Sequence, residues 1–498
     1  LKRDANGGNL VIQTIIPCII AGSEITQGDQ NTLSSFDGKP IATVILADTG
    51  QLRQAKRAVL GFQYEQVTVD AISRVITKAM DLYCASVEEY RFLAQLTGSP
   101  MGYLTQSIEE AKSWARSNQT YLATVFGTPQ YDHKVMQHTI THQHIRRHIP
   151  AGPALAILPR NEEIVPLFVI VQLLLARTPA IIKTSSQGAS SYTTVSLFRA
   201  LLAAAKVLNE SAVEAFLHSY SIVALPATEK TRTVELLGVN NATWIVFGSQ
   251  ETVQSVERRV RELALGGRVI GLGTGLSISI VHRDASLEKT AHHVATGACL
   301  DRGNKCISTS VCYVHTQVIE EFTRALTAQQ QHWKCGDPLS LATRIGVIDT
   351  EAQTQYAELC TARGLSSTPI TGLTLHPAQA HERVTELPAP IVFIRTFSTD
   401  EELLETIRKD LATNGLEKNL VTSIFTAQVE RFHTLARQMP AHTIRWNQPT
   451  TALSLFMPHQ GQYLIEQLLI KKDLDIAAEG LNTSFAASSL KEVVHAER

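Results

Sequence analysis

Cys306 is the residue in this chain best placed by type and setting to do covalent chemistry. It sits in Gly303-Asn304-Lys305-Cys306, followed by Ile307-Ser308-Thr309-Ser310. Three chemistries are open to it: a buried structural thiol, a metal ligand, or a nucleophile. The adjacent lysine favours the thiolate, the attacking form of cysteine. The turn also leads into an apolar stretch that reads as a strand, Ser310 to His315, and loops at strand ends facing a cleft are where reacting groups collect. Cys299, Cys306 and Cys312 are spaced by seven and six, which matches no zinc pattern. The residues alone leave nucleophile and core thiol both open.

Other clusters carry weaker signals. His138, His142, His144 and His148 lie close together, and His142 and His144 would share one face of a strand. Interspersed arginines oppose a cation there, so a solvated arm is the expectation and no metal site is assigned. Gly271-Leu272-Gly273-Thr274-Gly275 resembles a dinucleotide fingerprint, yet a strand rather than a helix follows it, so a close backbone crossing is expected.

The elements that position Cys306 follow from periodicity. After an opening β-rich stretch, apolar residues recur at three- and four-residue spacing through QLRQAKRAVLGF and through AISRVITKAMDLYCASVEEYRFLAQLTG, which reads as helix. From Gly152, buried strands (ALAILP, PAIIKTSS, SIVALP, TWIVFGS) alternate with helices, the pattern of a parallel sheet wrapped on both faces. A second α/β series starts near Gly266 and runs to about Asn447, and the two glycines there read as a hinge. The 498 residues suit two or three domains, and 44% apolar with 18% charged content describes a globular chain. A net charge of −1 excludes a global field for nucleic acid or anionic membrane. Seven scattered cysteines point to reduced thiols and a cytoplasmic location. The longest apolar run, Ile164 to Ala176, is too short to span a bilayer and reads as a buried helix.

Eight segments in order (ILPRNEEIVP, ARTPAIIKTSS, WIVFGSQETV, GLGTG, GNKC, ELPAPIVFI, NLVTSIFT and HTIRWNQ) make residues 140 to 450 resemble the aldehyde dehydrogenase superfamily. Within it, the chain most resembles the LuxC-type fatty acyl-CoA reductases of bacterial bioluminescence systems. The implied fold is α/β, with two doubly wound domains and a β-hairpin oligomerisation arm. Residues 1–133 and 151–266 would form the cofactor-binding domain, 134–150 the arm, 267–448 the catalytic domain, and 449–498 a packing or oligomerisation segment.

The resemblance implies that Cys306 is the nucleophile, with Asn161 and the Cys306 backbone N–H holding the oxyanion. One such donor contributes about 3 kcal/mol of transition-state stabilisation. Lys183 would hold the adenosine ribose. Ser186, beside Ser185 and Thr184, stands where NAD-selective relatives carry glutamate, which favours NADPH. Ser249 would contact the pyrophosphate, although Val253 replaces the expected glycine. Glu386 would orient the nicotinamide ribose. Hydrolytic relatives activate water with the glutamate of a Glu-Leu-Gly-Gly stretch, and here that place is Gly271.

The expected activity is therefore reduction of a fatty acyl thioester such as acyl-CoA to the aldehyde. The alternatives are an ordinary aldehyde dehydrogenase with its base elsewhere, such as Glu386, and a non-enzymatic scaffold. Retention of both Asn161 and Cys306 argues against the scaffold. A homodimer or homotetramer and an acyl-protein synthetase partner are further implications, and no nucleic-acid partner or membrane span is expected.

Overall fold

The computed structural model describes residues 14–131, 134–138, 142–160, 162–273, 275–379, 381–452, 454–458 and 461–477. Two parallel sheets dominate it. The first runs in the order Arg268–Gly273, Thr243–Gly248, Ala154–Ile157, Ala180–Thr184, Ser221–Ala224, Cys18–Ile20, Ser23–Ile25. Its first five strands pair in parallel, and the last two form an antiparallel hairpin at the edge. Ala154–Ile157 is the earliest of the parallel strands in this sheet, and the order reverses on either side of it. A crevice therefore opens beyond the carboxyl ends of Ala154–Ile157 and Thr243–Gly248, the usual ligand position in open α/β sheets.

The second sheet runs Thr374–Pro377, Ile391–Phe397, Thr309–His315, Ser277–Val281, Asn419–Phe425, Ala441–Trp446, all parallel. Two of its inner strands, Thr309–His315 and Asn419–Phe425, are buried at every residue, which is why they carry no charged side chain and do not alternate apolar with exposed residues. The helix Val165–Leu175 is apolar all round and buried, with Pro166 in its first turn, where no helical N–H is lost. No helix among the described residues is long and apolar enough to cross a membrane.

Several expectations need correction. The change of sheet does not fall at Gly266. Arg268–Gly273 pairs with Thr243–Gly248 along its whole length, so the crossing to the second sheet lies between Gly273 and Ser277. The helical stretch from Ala71 to Gly98 is two helices, Val69–Ala79 and Val87–Thr97. Cys84 has φ +44 between them, and Ser86 with Glu89 forms a reciprocal capping box that starts the second helix.

A third, antiparallel sheet joins Lys134–His138, His142–Pro150 and Leu469–Ala477. The expected arm is thus paired with the C-terminal segment of the same chain. His148 is buried in this sheet, with Nδ1 2.8 Å from the Tyr131 carbonyl oxygen. The side chains of His138, His142 and His144 lie outside the described residues.

The turn before Cys306 is held against the segment before Ile391–Phe397. Gly303 has φ +75, and a Cβ there would overlap the Ala389 carbonyl. Gly303→Ala is expected to destabilise the chain by about 2–3 kcal/mol, read as a lower Tm in thermal unfolding; an unchanged Tm would show that the two segments part easily.

Candidate active site

Cys306 lies in the loop that leads into Thr309–His315, at the amino-terminal edge of the second sheet. Its carbonyl accepts from the Ser277 hydroxyl at 3.1 Å, which ties it to the start of the neighbouring strand. Two non-glycine residues before it adopt left-handed backbone, Asp301 (φ +45) and Arg302 (φ +64). Asn304 has φ −92. The left-handed pair persists because both side chains are tightly held. Asp301 is fully buried and accepts from the Ser99 hydroxyl at 2.6 Å. Arg302 donates to the carbonyls of Thr97 (2.7 Å) and Val347 (3.0 Å).

Lys305 does not face the thiol as a free cation. Its ammonium lies 2.6 Å from Glu162, 3.2 Å from Glu163 and 3.3 Å from Asp301. It also sits 5.3 Å from the centre of the Tyr103 ring. Burial works against its charge, but the two glutamates outweigh it and hold the ammonium well above the ordinary lysine range. Lys305 does pull the Cys306 pKa down, as expected, but it is outweighed. Burial first, then the fields of Glu162 and Glu386, push the thiol above its ordinary value, and the opposing pull of Lys305 is smaller. Cys306 keeps some exposed surface, so a substrate can approach it.

Glu162 and Glu163 follow the strand Ala154–Ile157, so the crevice of the first sheet and the thiol of the second meet at this cluster. Sequence reasoning missed both glutamates, together with Asp301 and Tyr103. Two adjacent carboxylates before an apolar helix read as an ordinary solvated helix start. Only their pairing with a lysine over a hundred residues away reveals the role.

Glu386 also acts on the thiol. One carboxylate oxygen accepts from the Gly275 N–H, and Oε2 is buried without a hydrogen-bond partner. Burial pushes this carboxyl up to about 8. Glu386 and Cys306 are thus brought together, linked through the glycine-rich crossing.

The expected cofactor residues line the strand ends of the first sheet. Lys183 lies in Ala180–Thr184, and its carbonyl accepts from the Leu158 N–H at 2.9 Å. Ser185 and Ser186 are half-buried in the loop that follows, with the Ser186 carbonyl bound by Asn31 at 2.6 Å. The Thr184 hydroxyl turns inward, between Val223 and Ser191, so it does not join them. Ser249 caps the helix Gln250–Glu262 by accepting from the Thr252 N–H. Asn161 lies outside the described residues.

Val253 explains a second departure. A Cβ on Gly271 would overlap Val253 Cγ1, so the strand Arg268–Gly273 packs on that helix only with glycine at this position. The missing carboxylate and the missing helix glycine are two sides of one contact.

Two doubly wound α/β units meet near Cys306, beside the switch point of the first sheet. The profile described as the aldehyde dehydrogenase family matches residues 23–463. The chain belongs to that family. It is 27% identical over 207 residues to aldehyde dehydrogenase 1 of Tanacetum cinerariifolium, covering 38% of this chain and 40% of that protein. It is 26% identical over 186 residues to peroxisomal aminoaldehyde dehydrogenase 1 of Pisum sativum, covering 34% and 36%. The matches thus span two fifths or less of these relatives' own length. Among solved structures, the NAD-dependent aldehyde dehydrogenase of Sinorhizobium meliloti superposes with TM-score 0.78 at 17% identity, covering 96% of this chain and 97% of that one. Glyceraldehyde-3-phosphate dehydrogenase GapN of Methanocaldococcus jannaschii, complexed with NADP, gives TM-score 0.77 at 16% identity, covering 91% and 100%. These likenesses are of fold.

Glu386 supplies a prediction. Its carboxyl ionises near 4.5 in the unfolded chain and near 8 when folded, so the folded state binds the extra proton between those values. Stability from this group is present below about 4.5 and is lost as pH rises toward about 8. Glu386→Gln should therefore raise Tm more at pH 8.5 than at pH 6. An equal shift at both would show that the carboxyl is not held protonated.

Proposed function

We propose that this chain reduces an acyl thioester, such as a fatty acyl-CoA, to the aldehyde through an acyl group carried on Cys306, using NADPH. The observation that supports this reading best is the Gly271–Val253 contact. The place where hydrolytic relatives carry their water-activating glutamate has no room for a side chain.

The residues act as follows. Cys306 Sγ, once deprotonated, attacks the thioester carbonyl, and the carrier thiol leaves. Asn161 and the Cys306 backbone N–H are the proposed oxyanion donors. The bound nicotinamide supplies the hydride. Collapse of the resulting thiohemiacetal on Cys306 frees the aldehyde and regenerates the thiolate. With glycine at position 271, no base stands there to activate water against the acyl group.

The donor set fits a phosphorylated dinucleotide. Lys183, Ser185 and Ser186 end one strand, Ser249 heads the helix after another, and residues 184–188 include no carboxylate to repel a 2′-phosphate. A second reading is favoured by one observation. Glu386, with a buried unpartnered oxygen beside the thiol, is suited to take a proton from water. On that reading the chain oxidises aldehyde to acid.

Product analysis separates the two. With tetradecanoyl-CoA and NADPH, tetradecanal should form and its yield should vanish in Cys306→Ala. Acid formed from added aldehyde and NADP, abolished in Glu386→Gln, would replace the reductase reading with the second. Opening the closed site tests the physical reason. The double variant Gly271→Glu with Val253→Gly should divert acyl groups to free acid, with aldehyde yield falling roughly a hundredfold, the low end of a general base's contribution. Gly271→Glu alone should lower Tm through overpacking.

A further inference from the structure

The first sheet carries an addition that its parallel strands do not require. Three short strands, Thr14–Ile16, Pro40–Ile45 and Gln30–Ser34, form a small sheet of their own. It is docked on the first sheet at the carboxyl end of Ser221–Ala224. There the Ala47 N–H donates to the Ala224 carbonyl at 2.9 Å, and the Cys18 thiol donates to the Ile45 carbonyl at 3.0 Å.

Strand alternation puts Asn31 and Leu33 on the inward face of Gln30–Ser34, while Gln30, Thr32 and Ser34 are exposed. Leu33 is buried, as an inward apolar residue should be. Asparagine is a poor strand former, and at an inward position it needs a reason. Its amide supplies one: Nδ2 donates to the Ser186 carbonyl at 2.6 Å, across 155 residues of chain. The rest of that loop is held from its own sheet. The Gln187 N–H donates to the Ser185 hydroxyl at 3.1 Å, and the Ser191 hydroxyl donates to the Ser185 carbonyl. Gly188 lies so close to the Arg160 carbonyl that a Cβ would overlap it. Asn31 adds a restraint from the small sheet.

We infer that Asn31 is a positioning residue for the 2′-phosphate of the dinucleotide, acting through Ser186, and that the small sheet thereby sets the preference for NADPH over NADH. The inference rests on the NADPH reading above, but not on Cys306 or the acyl donor. With its carbonyl tied, Ser186 is held in one backbone conformation. The Ser185 hydroxyl accepts from Gln187 and keeps its own proton to donate. Hydroxyl donors bind a phosphate well when they are ordered beforehand, because a loose loop must be ordered at the moment of binding. Being uncharged, the Asn31 amide fixes the loop without repelling the phosphate. NADH lacks that group and gains little from the restraint.

The test is equilibrium binding of NADPH and of NADH to the whole chain by titration calorimetry, with Tm recorded for every variant. The native chain should bind NADPH more tightly. Asn31→Ala should weaken NADPH roughly tenfold, the low end for a hydrogen bond to a charged group, and leave NADH within about twofold. Asn31→Leu keeps the size of the side chain and improves strand propensity, so it should hold or raise Tm while losing the same selectivity. Thr32→Ala, an exposed change in the same strand, should alter neither affinity. Equal weakening of both dinucleotides by Asn31→Ala and Asn31→Leu would mark a merely structural asparagine and overturn the inference. So would an unchanged NADPH affinity in both variants, or a loss of selectivity in Thr32→Ala. A native chain that binds NADH as tightly as NADPH would instead overturn the cofactor reading on which the inference rests.

Discussion

The contact of Lys305 with Glu162 and Glu163 joins the two halves of the site. It fastens the segment after Ala154–Ile157, in the first sheet, to the turn that carries Cys306, in the second. Such a buried pair stabilises weakly as a whole, yet losing one partner leaves a charge stranded at a cost of about 3–5 kcal/mol. Its strength is therefore in register: the thiol can sit only where its neighbouring lysine finds the carboxylates. Ser99 and Arg302 extend the constraint by fixing the left-handed turn against the helical N-terminal region. The strained backbone at Asp301 and Arg302 is held by these bonds, as strain near reacting groups generally requires.

Much of the fold was legible because buried parallel strands leave a plain trace. ALAILP, TWIVFGS and PIVFIRTF are continuous apolar runs, and the structure places each in a parallel sheet. The break between Val69–Ala79 and Val87–Thr97 was hidden, since helical spacing continues across it and only the cap at Ser86 marks it. The hinge was placed at Gly266 because paired glycines suggest a change of direction. Pairing of Arg268–Gly273 with Thr243–Gly248, a long-range fact, decides otherwise. In the site, Cys306 stood out by its setting, but the sign of its electrostatics did not. Lys305 alone implies an acidic thiol, whereas burial first, and then Glu162 and Glu386, both distant in sequence, outweigh it.

Gly271 and Val253 show how two departures from a family pattern can share one cause. Read singly, each looks like a lost function. Packed together, they are a single contact between helix Gln250–Glu262 and its strand, which leaves no space for a Cβ at Gly271. Burial meanwhile raises two carboxyls whose charges act on the thiol, Glu162 to about 7 and Glu386 to about 8.

The central claim is that Cys306 carries the acyl group. Intact-protein mass spectrometry after mixing with tetradecanoyl-CoA, without any nicotinamide, tests it most directly. The account predicts a mass gain of one tetradecanoyl group that persists on standing and is absent in Cys306→Ala. A gain that survives in Cys306→Ala, or none with any of several acyl thioesters, would contradict it.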